Sequence, residues 1–350
     1  MKKFLSAMGV GAAALLALTG CGAADAAAPS STPVAIEVGD LDSLVKAAQA
    51  EGTVRVYSQR TEPDMERFVQ AFRDKYGIQV ESLRLGGNTL GSRFDAETQA
   101  GTPSGEVLIV VDVEFMKTAI DNGDVVGFSE SGIGGLLDGL PEEAVFADYD
   151  APMLQVVDVG FIYNTDRVDE ADLPKSWSQL VGTEWKGRYC SVDPSTTAST
   201  AHFFWNLLET EGEELVADFG ANIGRWYPNI VALNEAVSVG ECDLGVSTAK
   251  FMVDAAKSSG AAVDFAPQPS AILPLNTVGV ATAAEHPNAA RLFAHFILSE
   301  EANGLLNNPD AGAFGPWDTA ELPDYFSVPA PTDFQEVRDQ TKDILEALGL

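Results

Sequence analysis

Near the middle of the chain, Leu154 to Asn164 reads LQVVDVGFIYN, a nearly continuous apolar and β-branched run. Strands with one wet face alternate apolar and polar residues, whereas a run apolar on consecutive positions suits a strand covered on both faces. Such a strand needs helices above and below it. On each side of the run, short apolar segments alternate with helix-length segments, so it is expected to cross, as one unbroken strand, between two α/β lobes. A second apolar run, Ala271 to Ala281, interrupted by Pro274, is expected to cross back. Two crossings place lobe one at 41–155 and 275–350 and lobe two at 156–274. Beyond the first forty positions roughly 310 residues remain, more than one hydrophobic core usually serves.

Within lobe one the expected order is a helix over 41–50, a strand at 54–57, a helix at 62–76 with Phe68, Phe72 and Tyr76 at helical spacing, and a strand at 78–85. A helix to Gln99, a strand at 108–111 and a helix at 114–122 follow. This order predicts a parallel-type sheet with helices on its faces. Residues 124–150 carry Gly- and Pro-containing turns and no clear pattern. Lobe two repeats the alternation, with strands at 187–192, 242–247 and 263–265. An Ala- and Phe-rich helix at 287–298, several prolines and a terminal helix at 334–347 complete the chain.

The first twenty residues have Lys2 and Lys3 ahead of an apolar, Ala-rich segment, Leu5 to Leu18, too short to argue for a membrane span with its own flanks. Leu18-Thr19-Gly20-Cys21 resembles the lipobox of bacterial lipoproteins. The resemblance implies a signal peptide at 1–20 and a lipidated Cys21, followed by a tether over 21–40 rich in Ala, Pro, Gly and Ser. The folded part would then stay in water at the extracytoplasmic face, held by lipid alone. A formal net charge of −31 argues against nucleic acid and against an anionic membrane surface as partners. With Cys21 lipidated, Cys190 and Cys242 remain as an even pair in an oxidising compartment. A disulfide between neighbouring lobe-two strands is expected, two free buried thiols being the alternative.

Open α/β sheets bind ligands beyond the carboxyl ends of their strands. The polar turns there are Ser58-Gln59-Arg60-Thr61, Gly86-Gly87-Asn88-Thr89, Val111-Asp112, Asp193-Pro194-Ser195-Thr196-Thr197 and Thr248-Ala249-Lys250. Ser195, Thr196 and Thr197 can cap a helix and leave hydroxyls and amides for a phosphate or carboxylate. Arg60, Arg93, Arg225 and Lys250 stand out in a chain poor in basic residues, and two of them converging would bias a cleft toward an anion. Trp226 and Tyr227 are candidates to cover an apolar part of a ligand, while Trp177 and Trp185 read as core. Asp112, beside Glu114, is either a strand-end residue or a partner for an amine. Three histidines without catalytic spacing, no Gly-x-Ser-x-Gly elbow and no Gly-x-Gly-x-x-Gly loop argue against an enzyme, and no cofactor is expected.

The segment order resembles the extracellular solute-binding proteins of bacterial ABC importers, of type II lobe topology. Within them it is similar to the group that binds ferric iron, sugar phosphates, phosphonates, thiamine and polyamines. The matching pieces are Val56-Tyr57-Ser58, Arg93 to Glu97, Gly160 to Thr165, Leu173 to Trp177, Trp185 to Arg188, Asp193-Pro194, Gly240-Glu241 and His286 to Ala290. The resemblance implies a two-lobed α/β fold of the periplasmic-binding-protein type, monomeric, that closes on a small molecule and delivers it to a membrane permease. In ferric-binding members it implies adjacent tyrosines where this chain has Thr248, Ala249, Lys250 and Phe251, so no metal site is expected. The ligand expected from the residues is a small organic or phosphorylated anion, held by Ser58 to Thr61 and Ser195 to Thr197 with Arg225 or Lys250. Ferric iron and polyamines are the alternatives within the family, and an adhesion or scaffold role the alternative outside it.

Overall fold

The computed structural model describes residues 40–86, 89–102, 104–111, 113–270, 275–323 and 334–350. The expected signal peptide, Cys21, almost all of the tether, Asn88 and Asp112 lie outside them. In chain order the elements are α1 (Leu41–Glu51), β1 (Thr53–Ser58), α2 (Glu62–Tyr76), β2 (Gln79–Arg84), α3 (Thr89–Gln99), β3 (Val107–Val110) and α4 (Val113–Asp121). The region without a sequence pattern supplies two-residue strands, β4 (Val125–Val126) and β5 (Val145–Phe146), and leads to β6 (Ala151–Val157) and β7 (Val159–Asn164). Then follow α5 (Trp177–Leu180), β8 (Tyr189–Val192), α6 (Ala198–Glu211), α7 (Glu213–Asn222), β9 (Arg225–Tyr227), α8 (Ile230–Ser238), β10 (Leu244–Ala249), α9 (Lys250–Ser258) and β11 (Val263–Pro267). The last stretch holds β12 (Leu275–Ala281), α10 (Pro287–Ile297), α11 (Glu300–Leu306), β13 (Ala313–Phe314) and α12 (Phe334–Leu348).

Local chemistry sets several of these limits. Asp40 caps α1 by accepting from the Ser43 N–H at 2.8 Å, and Gly52, at φ 77°, ends it in the left-handed region that glycine enters without steric cost. Thr61 caps α2, whose Phe68, Phe72 and Tyr76 are buried as their spacing predicts. Phe72 meets the Phe293 ring of α10 edge-on at 5.0 Å.

Two sheets form. One has the order β13-β6-β12-β3-β1-β2, with β4 on β12 and β5 on β6; the other has the order β11-β7-β10-β8-β9. In the first, α1, α2, α10 and α11 cover one face and α3 and α4 the other. In the second, α6 and α7 cover one face, with Trp177 and Trp185 in that core, and α8 and α9 cover the other.

Strand direction locates the cleft. β1 and β3 run parallel, β12 runs against β3, and β6 runs against β12. The C-terminal ends of β1, β3 and β6 therefore share one edge. β7 departs from that edge, and its first residue, Val159, lies opposite Ala249, the last residue of β10. β8 runs parallel to β10. Both lobes thus turn the carboxyl ends of their parallel strands toward the link between β6 and β7.

That link is one residue long. The expected single strand over 154–164 is two strands in different sheets, broken at Asp158. The Asp158 N–H donates to the Gly312 carbonyl at 2.7 Å, and its own carbonyl accepts from the Lys250 N–H at 3.0 Å. One peptide segment is therefore bonded to both lobes. The expected parallel-type sheets are mixed, for a topological reason. A strand entering a lobe from the hinge edge must run away from that edge, against the strands that end there, and β7 and β12 both do so. The return strand is described from Leu275 onward, Pro274 lying outside the described residues.

The terminal helix departs from the expectation that lobe one extends to residue 350. α12 packs on α6 and α7 and buries Ile344 and Leu348 in the lobe-two core. At Gly220 of α7 an added Cβ would lie 2.1 Å from the Leu348 carbonyl oxygen, so the two backbones touch there.

Candidate ligand-binding site

On the lobe-one side, the turn after β1 is built inward. Ser58 is wholly buried and its Oγ accepts from the Arg60 N–H at 3.0 Å. Gln59 Oε1 accepts from the Val111 N–H at 2.6 Å, joining the ends of β1 and β3. Thr61 is occupied as the cap of α2, accepting from the Asp64 N–H.

Arg60 lies beneath the turn rather than across it. Its guanidinium donates to Gln155 Oε1 at 2.6 Å on β6, to Asn276 Oδ1 at 3.1 Å on β12, and to Asp64 Oδ2 at 3.0 Å. The arginine expected to meet an anion instead clamps the two strands that lead to and from the hinge. Burial pushes the Arg60 pKa down, against the pull of Asp64. Burial would raise the Asp64 carboxyl, but Arg60, Thr61 and Arg67 together hold it below the usual carboxylate range.

Lobe two brings its polar turns to the same edge. Asp193 Oδ1 accepts from the Ser195 N–H at 2.8 Å and from its hydroxyl at 2.6 Å, and the Thr196 hydroxyl donates to the Asp193 carbonyl at 2.6 Å. Thr197 caps α6. Ser195 and Thr196 are exposed, and their backbone is fixed by Asp193. Thr248 turns inward, donating to Asn234 Oδ1 at 2.7 Å. Just before it Ser247, at φ 59°, sits where the β10–β7 register shifts, a bulge of the kind that re-aims the end of a strand.

The remaining lobe-two candidates have other partners. Lys250 Nζ donates to Asp254 Oδ2 at 2.8 Å and to the Asp310 carbonyl at 2.6 Å, which spans from lobe two to the segment preceding β13. Arg225 is exposed, 3.6 Å from Glu241 and over the Tyr227 ring. Tyr227 is buried, and its hydroxyl donates to Glu241 Oε2 at 3.0 Å, back along the strand toward Cys242. Burial and the Glu241 hydrogen bond raise its pKa, which keeps the phenol protonated. Trp226 packs against Phe204 and Phe219. Arg93 pairs with Glu97 and covers the Tyr57 ring. Cys190 and Cys242 are bridged, joining β8 to the residue pair that leads into β10. After β2, Thr89 opens α3 with its N–H on the Gly86 carbonyl at 3.2 Å.

Arg84 was not singled out from the sequence. It ends β2 at the hinge-facing edge, is exposed, and donates from Nε to the Arg60 carbonyl at 3.1 Å. No carboxylate among the described residues pairs with it. A sequence signal existed: Arg84 closes a strand just ahead of Gly86-Gly87, and Glu81, three residues back on that strand, faces the other side.

One group among the described residues has metal-ligand composition. Ligand atoms of Glu106, Glu285 and His286 lie within 4.8 Å of one another. It sits where β3 begins and β12 has ended, the edge away from the hinge. The buried Glu106 carboxylate accepts from the Arg55 N–H at 2.7 Å and from the His286 N–H at 2.8 Å, with His286 Nδ1 at 2.8 Å. Arg55 also pairs with Glu106 at 3.5 Å and with Glu285. A guanidinium already supplies the positive charge there, so the group staples β1, β3 and α10 together.

The family described as bacterial extracellular solute-binding protein has a model that matches residues 57–304. A curated relative, the Fe(3+)-binding periplasmic protein of Serratia marcescens, is 24% identical over 283 residues, covering 76% of this chain and 79% of its own. Among solved structures, the Trichodesmium protein IdiA (FutA) in complex with iron and citrate ligands superposes with a TM-score of 0.66 at 19% identity, over 85% of this chain and 98% of that one. AfuA from Actinobacillus pleuropneumoniae, with fructose-6-phosphate bound, gives 0.61 at 18% identity, over 86% and 99%. At such identities the structural likeness is one of fold.

Proposed function

The chain belongs to the bacterial extracellular solute-binding protein family, and we propose that the solute it carries to its ABC importer is ferric iron accompanied by an anion. The protein is a binding component rather than an enzyme, with an interlobe cleft as its binding place. The iron reading is carried by the 24%-identical relative that binds Fe(3+). The site favours it over a plain organic or phosphorylated anion, because Arg60, Arg225 and Lys250 already answer acceptors within the protein. Ferric ion is hard and needs anionic oxygen donors. The end of β10 and the start of α9 offer Thr248, Ala249 and Lys250, so part of the donor set comes with the ion.

A sugar phosphate is the second reading, favoured by the exposed hydroxyls ahead of α6 and by the fructose-6-phosphate complex of AfuA. A thermal-shift panel on iron-free protein separates the two. A ligand at one hundred times its Kd raises stability by about 2.7 kcal/mol. Ferric citrate is expected to give such a shift and fructose-6-phosphate none. A shift with the sugar phosphate alone would reverse the assignment.

We also propose that the mature protein is lipid-anchored at Cys21, on the strength of Leu18-Thr19-Gly20-Cys21. Palmitate labelling of the full chain in cells should disappear in Cys21→Ala, and the variant should keep the mass of the uncleaved chain. Unchanged palmitate labelling of the variant would refute the anchor.

A further inference from the structure

We infer that the hairpin over 308–313 is a strut that fixes the angle between the lobes, with Lys250 of lobe two hooked on its tip. The hairpin closes on itself: the Asn308 N–H donates to the Ala313 carbonyl at 2.8 Å, and the Ala313 N–H to the Asn308 carbonyl at 3.1 Å. Asp310 and Gly312 lie at its tip, where the Gly312 N–H turns back onto the Pro309 carbonyl at 2.8 Å. A loop tied in this way moves as one piece.

Its base belongs to lobe one. Ala313 pairs with Val157 of β6. The buried Asn307 accepts from Gln155 Nε2 at 3.1 Å and donates to Asn303 Oδ1 at 3.0 Å. Asn303 donates in turn to Asp318 Oδ2 at 2.9 Å, which also accepts from the Gly315 N–H at 2.8 Å. The packing leaves no slack, since a Cβ added to Gly315 would lie 1.9 Å from Asn303 Oδ1. Gln155 is itself held by Arg60, so the hydrogen bonds run unbroken from the turn after β1 to the hairpin. A satisfied buried network of this kind rigidifies the pieces it joins.

The tip meets lobe two at the hinge. The Gly312 carbonyl accepts from the Asp158 N–H at 2.7 Å, and the Asp158 carbonyl from the Lys250 N–H at 3.0 Å. Lys250 Nζ then reaches along the hairpin to the Asp310 carbonyl at 2.6 Å, a charge-assisted bond, while Asp254 on the same helix holds the ammonium at 2.8 Å. Gly312 has φ 72°, and a Cβ added there would lie 2.8 Å from Asp158 Cβ and 3.0 Å from Lys250 Cβ. A hinge absorbs rotation in the dihedrals of a few residues, and the single-residue link at Asp158 can do so without losing its two backbone bonds. The ammonium sits at the end of a long side chain, away from that pivot, so the same rotation draws it off the Asp310 carbonyl. Lys250 therefore resists a swing that the peptide link alone would leave free, whatever solute the cleft takes.

The test uses the mature protein without added ligand and two variants. Lys250→Met keeps the stem of the side chain and removes the hook, so small-angle scattering should show a wider spread of lobe separations than in the natural chain. Hydrogen exchange at the Asp158 amide should quicken about tenfold or more, as for the loss of a charge-assisted hydrogen bond. Gly312→Ala drives a methyl group between Asp158 and Lys250 and should shift the scattering curve as a wedge would. Scattering that is unchanged in either variant would overturn the inference, as would an Asp158 amide that keeps its natural exchange rate in Lys250→Met. A Lys250→Met variant that loses affinity for ferric citrate while its ligand-free scattering stays that of the natural chain would make Lys250 a contact of the cleft and no strut.

Discussion

Replacing Cys190 and Cys242 together by alanine is expected to lower the stability of lobe two by about 4 kcal/mol, the loop entropy released when a bridge of this span is removed. The two cysteines are 52 residues apart, and the bridge encloses α6, α7, β9 and α8. Four of the five tryptophans, Trp177, Trp185, Trp205 and Trp226, lie in lobe two, so their fluorescence in a denaturant titration reports on it. The midpoint should fall in the variant and, for the natural chain, fall equally on adding reductant under denaturing conditions. Lobe two should still fold, because Phe161, Trp177, Tyr189, Phe204 and Phe219 are wholly or nearly buried without help from the bridge. Alkylation of the unreduced, denatured protein should modify neither Cys190 nor Cys242. Identical midpoints with and without reductant would remove the bridge from the account.

Arg60→Ala is expected to cost about 3 kcal/mol, as for breaking a buried charge pair by removing one partner. The loss leaves Gln155 Oε1 and Asn276 Oδ1 without this donor, and leaves Asp64 to Arg67 alone. Its position makes the effect more than local, because Gln155 and Asn276 lie on the strands at the two crossings. Gln155 also donates to Asn307 Oδ1 at 3.1 Å, and Asn307 in turn donates to the Leu154 carbonyl. Arg60→Lys should recover less than half of the loss, since a single ammonium cannot address three acceptors with the geometry of a planar fork. Chemical denaturation measures the stability, and small-angle scattering of the ligand-free variant should show a wider spread of lobe separations. A loss below about 1 kcal/mol, the range of surface pairs, would mean that the clamp is idle.

Arg60 also shows where reading a sequence stops. Its placement in a turn between a strand and a helix was legible, but Thr61, read with it as a ligand contact, is the cap of that helix. Its partners were not, because Gln155 and Asn276 are 95 and 216 residues away along the chain. Lys250 repeats the lesson in part: Asp254 is four residues on, on the same helix face, while the Asp310 carbonyl comes from a distant turn. The alternation of apolar runs with amphipathic helices was legible because it follows from covering a sheet on both faces. The break at Asp158 was hidden by the same apolar continuity, since Val157 and Val159 are buried in separate sheets. β9 is three residues long, too short for periodicity to reveal, and so Tyr227 read as a candidate ligand cover rather than as a strand residue.

The place of α12 gives the chain a leash. Leu322 packs with the lobe-one core and Ile344 with the lobe-two core, so the polypeptide passes between lobes a third time after Pro323. From Pro323 to Phe334 is eleven residue steps, and a fully extended chain covers at most about 3.6 Å per step, or about 40 Å in all. However wide the jaws swing about Asp158, those two anchor points cannot separate further than that while α12 stays docked. Each residue removed from this stretch lowers that ceiling by about 3.6 Å.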